Sequence, residues 1–170
     1  MIASLNTPLV WVLALVVFQR LGELALASSN TRKLLARGAR EVGRAHYPLF
    51  IALHSSWLAA IALTTPIDAK PLWPLIGVFV ALQSIRVWVI SSLGPYWTTR
   101  VITLDGAPVV KSGPYRWVRH PNYWVVVGEI AVLPLAFHNW PVAAVWSLLN
   151  AMLLRHRIGV ESVALVDRVA

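Results

Sequence analysis

The chain has 170 residues, of which 58% are hydrophobic and 13% charged. Disordered chains are poor in apolar residues and rich in charge, which rules out that class. An ordinary soluble domain carries about 25% charged and about 45–50% apolar residues, so the excess of apolar side chains must face something other than water, and lipid is the natural candidate. A net charge of +8 would suit nucleic acid, but the basic residues fall in clusters between apolar runs, and no nucleic-acid partner is expected. The absence of cysteine excludes disulfides, thiolate catalysis and Cys-ligated metal or iron–sulfur centres.

The first apolar run, 8–27, is about 20 residues long, enough to cross a hydrocarbon core of about 30 Å. No basic stretch precedes it and no small-residue cleavage site follows, so a retained helix is expected and not a signal peptide. Further runs occupy 46–65 and 71–93. Two shorter ones, 122–137 and 141–154, are each marginal as a span. The turn signal His138-Asn139-Trp140-Pro141 joins them into a tight helical hairpin. The expectation is a single domain over 1–170 with an all-α, polytopic integral membrane fold of about five transmembrane helices.

Five spans place segments 28–45, 94–121 and the C-terminal tail on one side. These hold every Lys and Arg except Arg20, Lys70 and Arg86, of which only Lys70 lies on the other side. The positive-inside rule then puts the N-terminus outside and the C-terminus in the cytoplasm. The connection 94–121 is too long for a simple turn, and such connections are often functional.

Several polar residues fall within the apolar runs: Arg20 and Glu23 in the first, His54 in the second, Gln83 and Arg86 in the third, Glu129 in the fourth and Asn150 in the fifth. Each charge in lipid costs at least about 2.5–3.5 kcal/mol on insertion scales. Arg20/Glu23 and Gln83/Arg86 are i, i+3 pairs that share a helix face. Two readings are available, and one shared layer in five helices favours the first. One is a polar chamber open towards the cytoplasm; the other is interhelical glue, with the two arginines paired to the two glutamates.

From Gly113 to Tyr123 the chain reads Gly-Pro-Tyr-Arg-Trp-Val-Arg-His-Pro-Asn-Tyr. Pro121 suits the first turn of a helix, which puts His120 at a helix start, where an anionic group is favoured. Tyr115, Trp117 and Tyr123 can stack on a purine, or serve as a basic aromatic belt against lipid headgroups. No cluster of histidines suggests a metal.

The pattern Gly-x-Tyr-x-x-x-Arg-His-Pro-x-Tyr, then an apolar hairpin, then Arg157-Ile158-Gly159-Val160-Glu161, resembles the isoprenylcysteine carboxyl methyltransferase family. Upstream, Gln19-Arg20-Leu21-Gly22-Glu23-Leu24, His46-Tyr47-Pro48, Leu53-His54, Gln83-Ser84-Ile85-Arg86-Val87-Trp88 and Ser92-Leu93-Gly94-x-x-Trp97 resemble its short bacterial branch. That branch is associated with O-methylation of alkylpyrones and alkylresorcinols made by type III polyketide synthases. The family's paired glutamates are here Glu161 followed by Ser162.

The resemblance implies an S-adenosyl-L-methionine-dependent methyltransferase in the bacterial inner membrane, releasing S-adenosyl-L-homocysteine, with its cofactor-binding part in about 94–170. Tyr115, Arg119, His120, Pro121, Tyr123, Arg157 and Glu161 would bind the cofactor on the cytoplasmic side. The polar head of a lipophilic substrate would meet Arg20, Glu23 and Trp97, and its tail would enter from membrane lipid. Glu129 or His54 would act as base, or Arg86 would stabilise a phenolate. Alternative acceptors are an isoprenylcysteine carboxylate or a phospholipid amine; outside enzymes, the alternative is a non-catalytic lipid-binding or transport protein.

Overall fold

The computed structural model describes residues 6–107 and 110–166, the side chains of 163–166 excepted. Among these residues there are five α-helices: α1 (Pro8–Ala36), α2 (Tyr47–Thr64), α3 (Trp73–Leu93), α4 (Pro121–Ala136) and α5 (Trp140–Val166). Helices α1, α2 and α3 are long and apolar enough to cross a membrane, whereas α4 is shorter, with 16 residues. The fold is that of an all-α polytopic membrane protein.

The helices alternate in direction, so one end of the bundle collects the long connections. There, β1 (Arg40–Val42) pairs antiparallel with β2 (Val101–Thr103), Glu41 opposite Ile102. Arg100 on the β2 side donates Nη1 to both carboxylate oxygens of Glu41 at 2.9 Å, clamping the α1–α2 connection to the α3–α4 connection. The two strands are three residues each and carry no periodic signal long enough to be read from sequence.

Polarity is inverted relative to a soluble bundle. Phe18, Leu63, Val87, Leu148 and Met152 point outward, while Glu23, Arg86, Glu129 and Asn150 are buried. An outer surface of large apolar side chains is stable only against lipid. The interior core joins Leu9 and Val16 of α1 to Leu53, Trp57 and Ile61 of α2, Phe79 of α3 and Ile130 and Leu133 of α4. A smaller core at the looped end consists of Ala27, Val89 and Trp97, with Tyr115 packed on it.

Two helices run beyond their apolar segments. α1 continues nine residues past the expected Ala27, and α5 runs on past Leu154 to Val166. No proline interrupts either extension, so the backbone stays helical after hydropathy has fallen. The basic segment expected as a tail is therefore the last turns of α5, and Arg157 and Glu161 share one face of it at i, i+4.

The expected turn at His138–Pro141 is present. Asn139 closes it: its Oδ1 accepts from Val142 N at 3.3 Å at the start of α5, and its Nδ2 reaches Thr64 Oγ1 and Thr65 Oγ1 at 2.8 and 2.9 Å. Pro134 lies inside α4, and its missing N–H deprives Ile130 O of its helical donor. Trp57 Nε1 supplies the replacement from α2, at 3.2 Å. In an apolar interior an unpaired carbonyl costs about 1–3 kcal/mol. Trp57→Phe, which keeps the bulk and removes the donor, is therefore expected to lower stability by about 1–3 kcal/mol, read from reversible unfolding in mixed micelles.

Candidate functional site

The polar residues of the first, third and fourth helices meet in one layer. Arg86 donates Nε and Nη2 to Glu23 Oε1 and Oε2, both at 2.6 Å, and Nη1 to Glu129 Oε2 at 3.1 Å. Arg20 bridges the same two carboxylates, with Nη1 to Glu23 Oε2 at 3.0 Å and Nη2 to Glu129 Oε2 at 2.7 Å. Gln83 donates to Glu129 Oε1 at 2.8 Å, and Gln19 donates to Gln83 at 2.7 Å and to Glu23 at 2.9 Å. Two positive and two negative charges cancel within the layer. Every carboxylate oxygen is taken, and Arg20 Nε is the one guanidinium nitrogen of the pair buried without an acceptor.

This geometry corrects the open-chamber reading. Glu129 is 1% exposed and accepts from Arg20, Arg86 and Gln83, so it serves as a counter-ion and not as an available base. Arg20, Glu23 and Arg86 are likewise committed to one another and do not form an open lining for substrate. Spacing within each helix fixed the pairs Arg20/Glu23 and Gln83/Arg86. Only the packing of three helices decides that the pairs close on each other.

His54 belongs to α2 and lies within electrostatic reach of Arg20, Arg86 and Glu129. Its Nδ1 is 2.8 Å from Phe50 O. A carbonyl only accepts, so Nδ1 carries the hydrogen, which in the neutral ring leaves the lone pair on Nε2. His54 is thus the polar side chain near the layer that retains a basic nitrogen.

A second cluster forms at the looped end. His120 stacks on Tyr123 with ring centroids 5.2 Å apart and planes 16° from parallel. Tyr123 donates a short hydrogen bond to Glu161 Oε2 and accepts from Arg157 Nε at 3.0 Å. Arg157 also donates Nη2 to Thr99 O at 2.9 Å and lies over the Phe50 ring at 4.9 Å. Glu161 Oε2 is 3.8 Å from His120 Nδ1. Burial, and then the Glu161 carboxylate, push the Tyr115 phenol above its ordinary range, so that hydroxyl stays protonated. The loop that carries Tyr115 is seated by Gly113, whose φ of +56° suits glycine and where a Cβ would overlap Ser92 Oγ.

Five of the residues expected at a cofactor site, Tyr115, His120, Tyr123, Arg157 and Glu161, therefore converge. Pro121 is buried at the first turn of α4, and Arg119 projects to the exterior. Trp97, expected to meet substrate, is instead 3% exposed within the small core, because its indole fills the gap between Ala27 and Val89. Ser162 donates back to Gly159 O at 2.8 Å on the outside of α5 and takes no part in the cluster. Thr99 and Phe50 are contributors that sequence reasoning passed over, since a backbone carbonyl and an apolar ring carry no chemical signature.

Removing one partner of a buried charge network leaves the other uncompensated, at about 3–5 kcal/mol. Glu129→Leu is expected to lose that much stability, whereas Arg100→Gln, which opens the partly exposed pair with Glu41, should lose about 1 kcal/mol or less. Unfolding of both variants in the same detergent distinguishes them.

Comparison with known proteins agrees with this architecture. The family model described as isoprenylcysteine carboxyl methyltransferase (ICMT) matches residues 75–167. The chain is 38% identical over 162 residues to the uncharacterized protein YpbQ of Bacillus subtilis (strain 168), covering 92% of this chain and 96% of the relative. No solved structure matches. The matched segment begins in α3 and carries the whole looped-end cluster apart from Phe50. The chain belongs to the isoprenylcysteine carboxyl methyltransferase family.

Proposed function

We propose that this protein is an integral membrane S-adenosyl-L-methionine-dependent O-methyltransferase whose acceptor is a lipid with a phenolic or enolic hydroxyl, such as an alkylresorcinol or alkylpyrone. The observation that carries the reading is the convergence of Tyr115, His120, Tyr123, Arg157 and Glu161 at the looped end of a family member.

The donor set suits the cofactor. Arg157 keeps Nη1 for a carboxylate after its bonds to Tyr123 and Thr99, and Glu161 keeps Oε1 for a ribose hydroxyl. The half-exposed His120–Tyr123 stack offers a ring face to a purine. When bound, S-adenosyl-L-methionine supplies a methyl group on a sulfonium, and displacement by an oxygen nucleophile gives S-adenosyl-L-homocysteine.

The residues of the chain then do three things. The looped-end cluster orients the methyl donor. The charge layer, about 9 Å deeper by the six-position step from Tyr123 to Glu129, closes the space below it. His54 Nε2 takes the hydroxyl proton. A protic acceptor needs such a base and an ionised carboxylate does not, which favours a phenol or enol over an isoprenylcysteine carboxylate. The apolar flanks of the helices suit a tail that arrives sideways from the bilayer.

The basic residues of the looped end support a cytoplasmic placement in a bacterial inner membrane, with the N-terminus outside. A reaction of the type III polyketide synthase class would supply the acceptor.

Calorimetry on the detergent-purified chain is expected to give saturable S-adenosylhomocysteine binding, weakened about tenfold or more by Glu161→Ala through loss of a charge-assisted bond. Labelled methyl should pass to pentadecylresorcinol in preference to farnesylcysteine. His54→Ala should slow that transfer by about 10²–10⁴-fold with cofactor affinity retained. A folded sample that binds no S-adenosylhomocysteine sinks the proposal.

A further inference from the structure

Asn150 is 1% exposed, yet its amide makes no hydrogen bond among the described residues and Oδ1 is fully enclosed. Three residues earlier on the same face of α5, Ser147 Oγ is also buried without a partner. Five other hydroxyls of the apolar helices behave differently. Ser56, Thr64, Ser84, Ser91 and Ser92 each donate to a carbonyl of their own helix at 2.7–3.1 Å. Buried polar groups are nearly always paired, so a strip of two unpaired ones within a membrane helix calls for a specific explanation.

Its place in the fold supplies one. Among the contacts between α2 and α5, Trp146 Nε1 donates to Ser56 Oγ at 3.1 Å, and the Arg157 guanidinium lies over the Phe50 ring. Asn150 lies between Trp146 and Arg157 on α5, and His54 lies one turn from Phe50 on the same face of α2. Asn150 is seven residues from Arg157, which puts both on one face of α5 to within about 20°, with the amide about 10 Å deeper. The seam that holds His54 therefore also holds the unpaired amide.

We infer that Asn150 is an acceptor-recognition residue, whose Oδ1 receives a hydrogen bond from a ring hydroxyl of the lipid. This rests on the reading above and narrows it. His54 Nε2 and Asn150 Oδ1 are both acceptors, so the seam is matched to a ring that presents two hydroxyls, one to be methylated and one to be held. A carboxylate, which carries no donor when ionised, leaves Oδ1 unpaired.

The test uses the full chain in lipid nanodiscs with two probes, pentadecylresorcinol and its dimethyl ether. The unmodified protein should bind the resorcinol about tenfold or more tightly than the ether. Asn150→Leu, apolar and with the same branched heavy-atom skeleton, should lose most of that preference and bind S-adenosylhomocysteine within about twofold of the unmodified chain. Its midpoint of thermal unfolding should stay level or rise by about 2–4 °C, because no bond is lost. Undiminished preference for the resorcinol in the variant, or a lower midpoint with unchanged binding, overturns the inference and leaves Asn150 as a structural residue satisfied by buried water. If the variant does not fold, equal binding of the two probes by the unmodified chain overturns it as well. A protein that binds S-adenosylhomocysteine but not the resorcinol loses the hydroxyl assignment alone, whereas one that binds neither loses the methyltransferase reading.

Discussion

The closure of Arg20 and Arg86 onto Glu23 and Glu129 is the constraint on which the bundle depends. Four ionised side chains at membrane depth would each oppose insertion if left alone. Joined, they form a neutral unit with every carboxylate oxygen accepting, and Gln19 and Gln83 complete the shell. A bidentate guanidinium–carboxylate pair has narrow geometric tolerance, so the Arg86–Glu23 fork fixes α1 against α3 in both height and rotation. Glu129 then pins α4 to both. Close helix approach follows: a Cβ at Gly128, beside Glu129, would press on Leu82 of α3.

A fixed layer at that depth sets where chemistry can occur. The looped-end cluster shares α4 with that layer, with Tyr123 on α4 and Arg157 and Glu161 on α5, and the Arg100–Glu41 clamp and the short β1–β2 pair hold the connections around it. Side chains mounted on helices are positioned more precisely than side chains on loops. Tyr115 and Thr99 are loop contributions, and Thr99 enters through a backbone carbonyl that Arg157 holds. The two layers are thus related by a few turns of rigid helix.

The helices were legible because lipid demands long apolar runs, and the hairpin was legible from His138 to Pro141. What hydropathy could not show was how far α1 and α5 continue into water, since a helix does not stop where apolarity stops. That overrun matters: it is what aligns Arg157 and Glu161 on one face. The polar residues were each visible at depth, but an i, i+3 spacing says which residues share a helix face and nothing about which helix comes to meet them. Hence the sequence favoured a chamber, and packing decided for a closed layer. Trp97 shows the reverse error, a loop tryptophan that suggests a ligand and instead fills a core. The donation of Trp57 to the carbonyl freed by Pro134 depends on a contact across 73 positions and left no local trace.

Charge conservation connects the closed layer to the proposed chemistry. Methyl transfer from a sulfonium to a neutral hydroxyl removes a positive charge from sulfur and releases a proton. If a neutral base receives that proton, one positive charge merely changes place and the net charge of the site is constant. Were a carboxylate the base, the reaction would neutralise an anion on which Arg20 and Arg86 both depend, breaking the layer at each turnover. Glu129 already accepts from three donors, so neither of its oxygens is left free for a substrate hydroxyl. His54 is anchored through Nδ1 to its own helix, so it can accept a proton at Nε2 without releasing any bond that holds α1, α3 and α4 together. The network that makes Glu129 unfit as a base is what allows a neighbouring neutral imidazole to be fit.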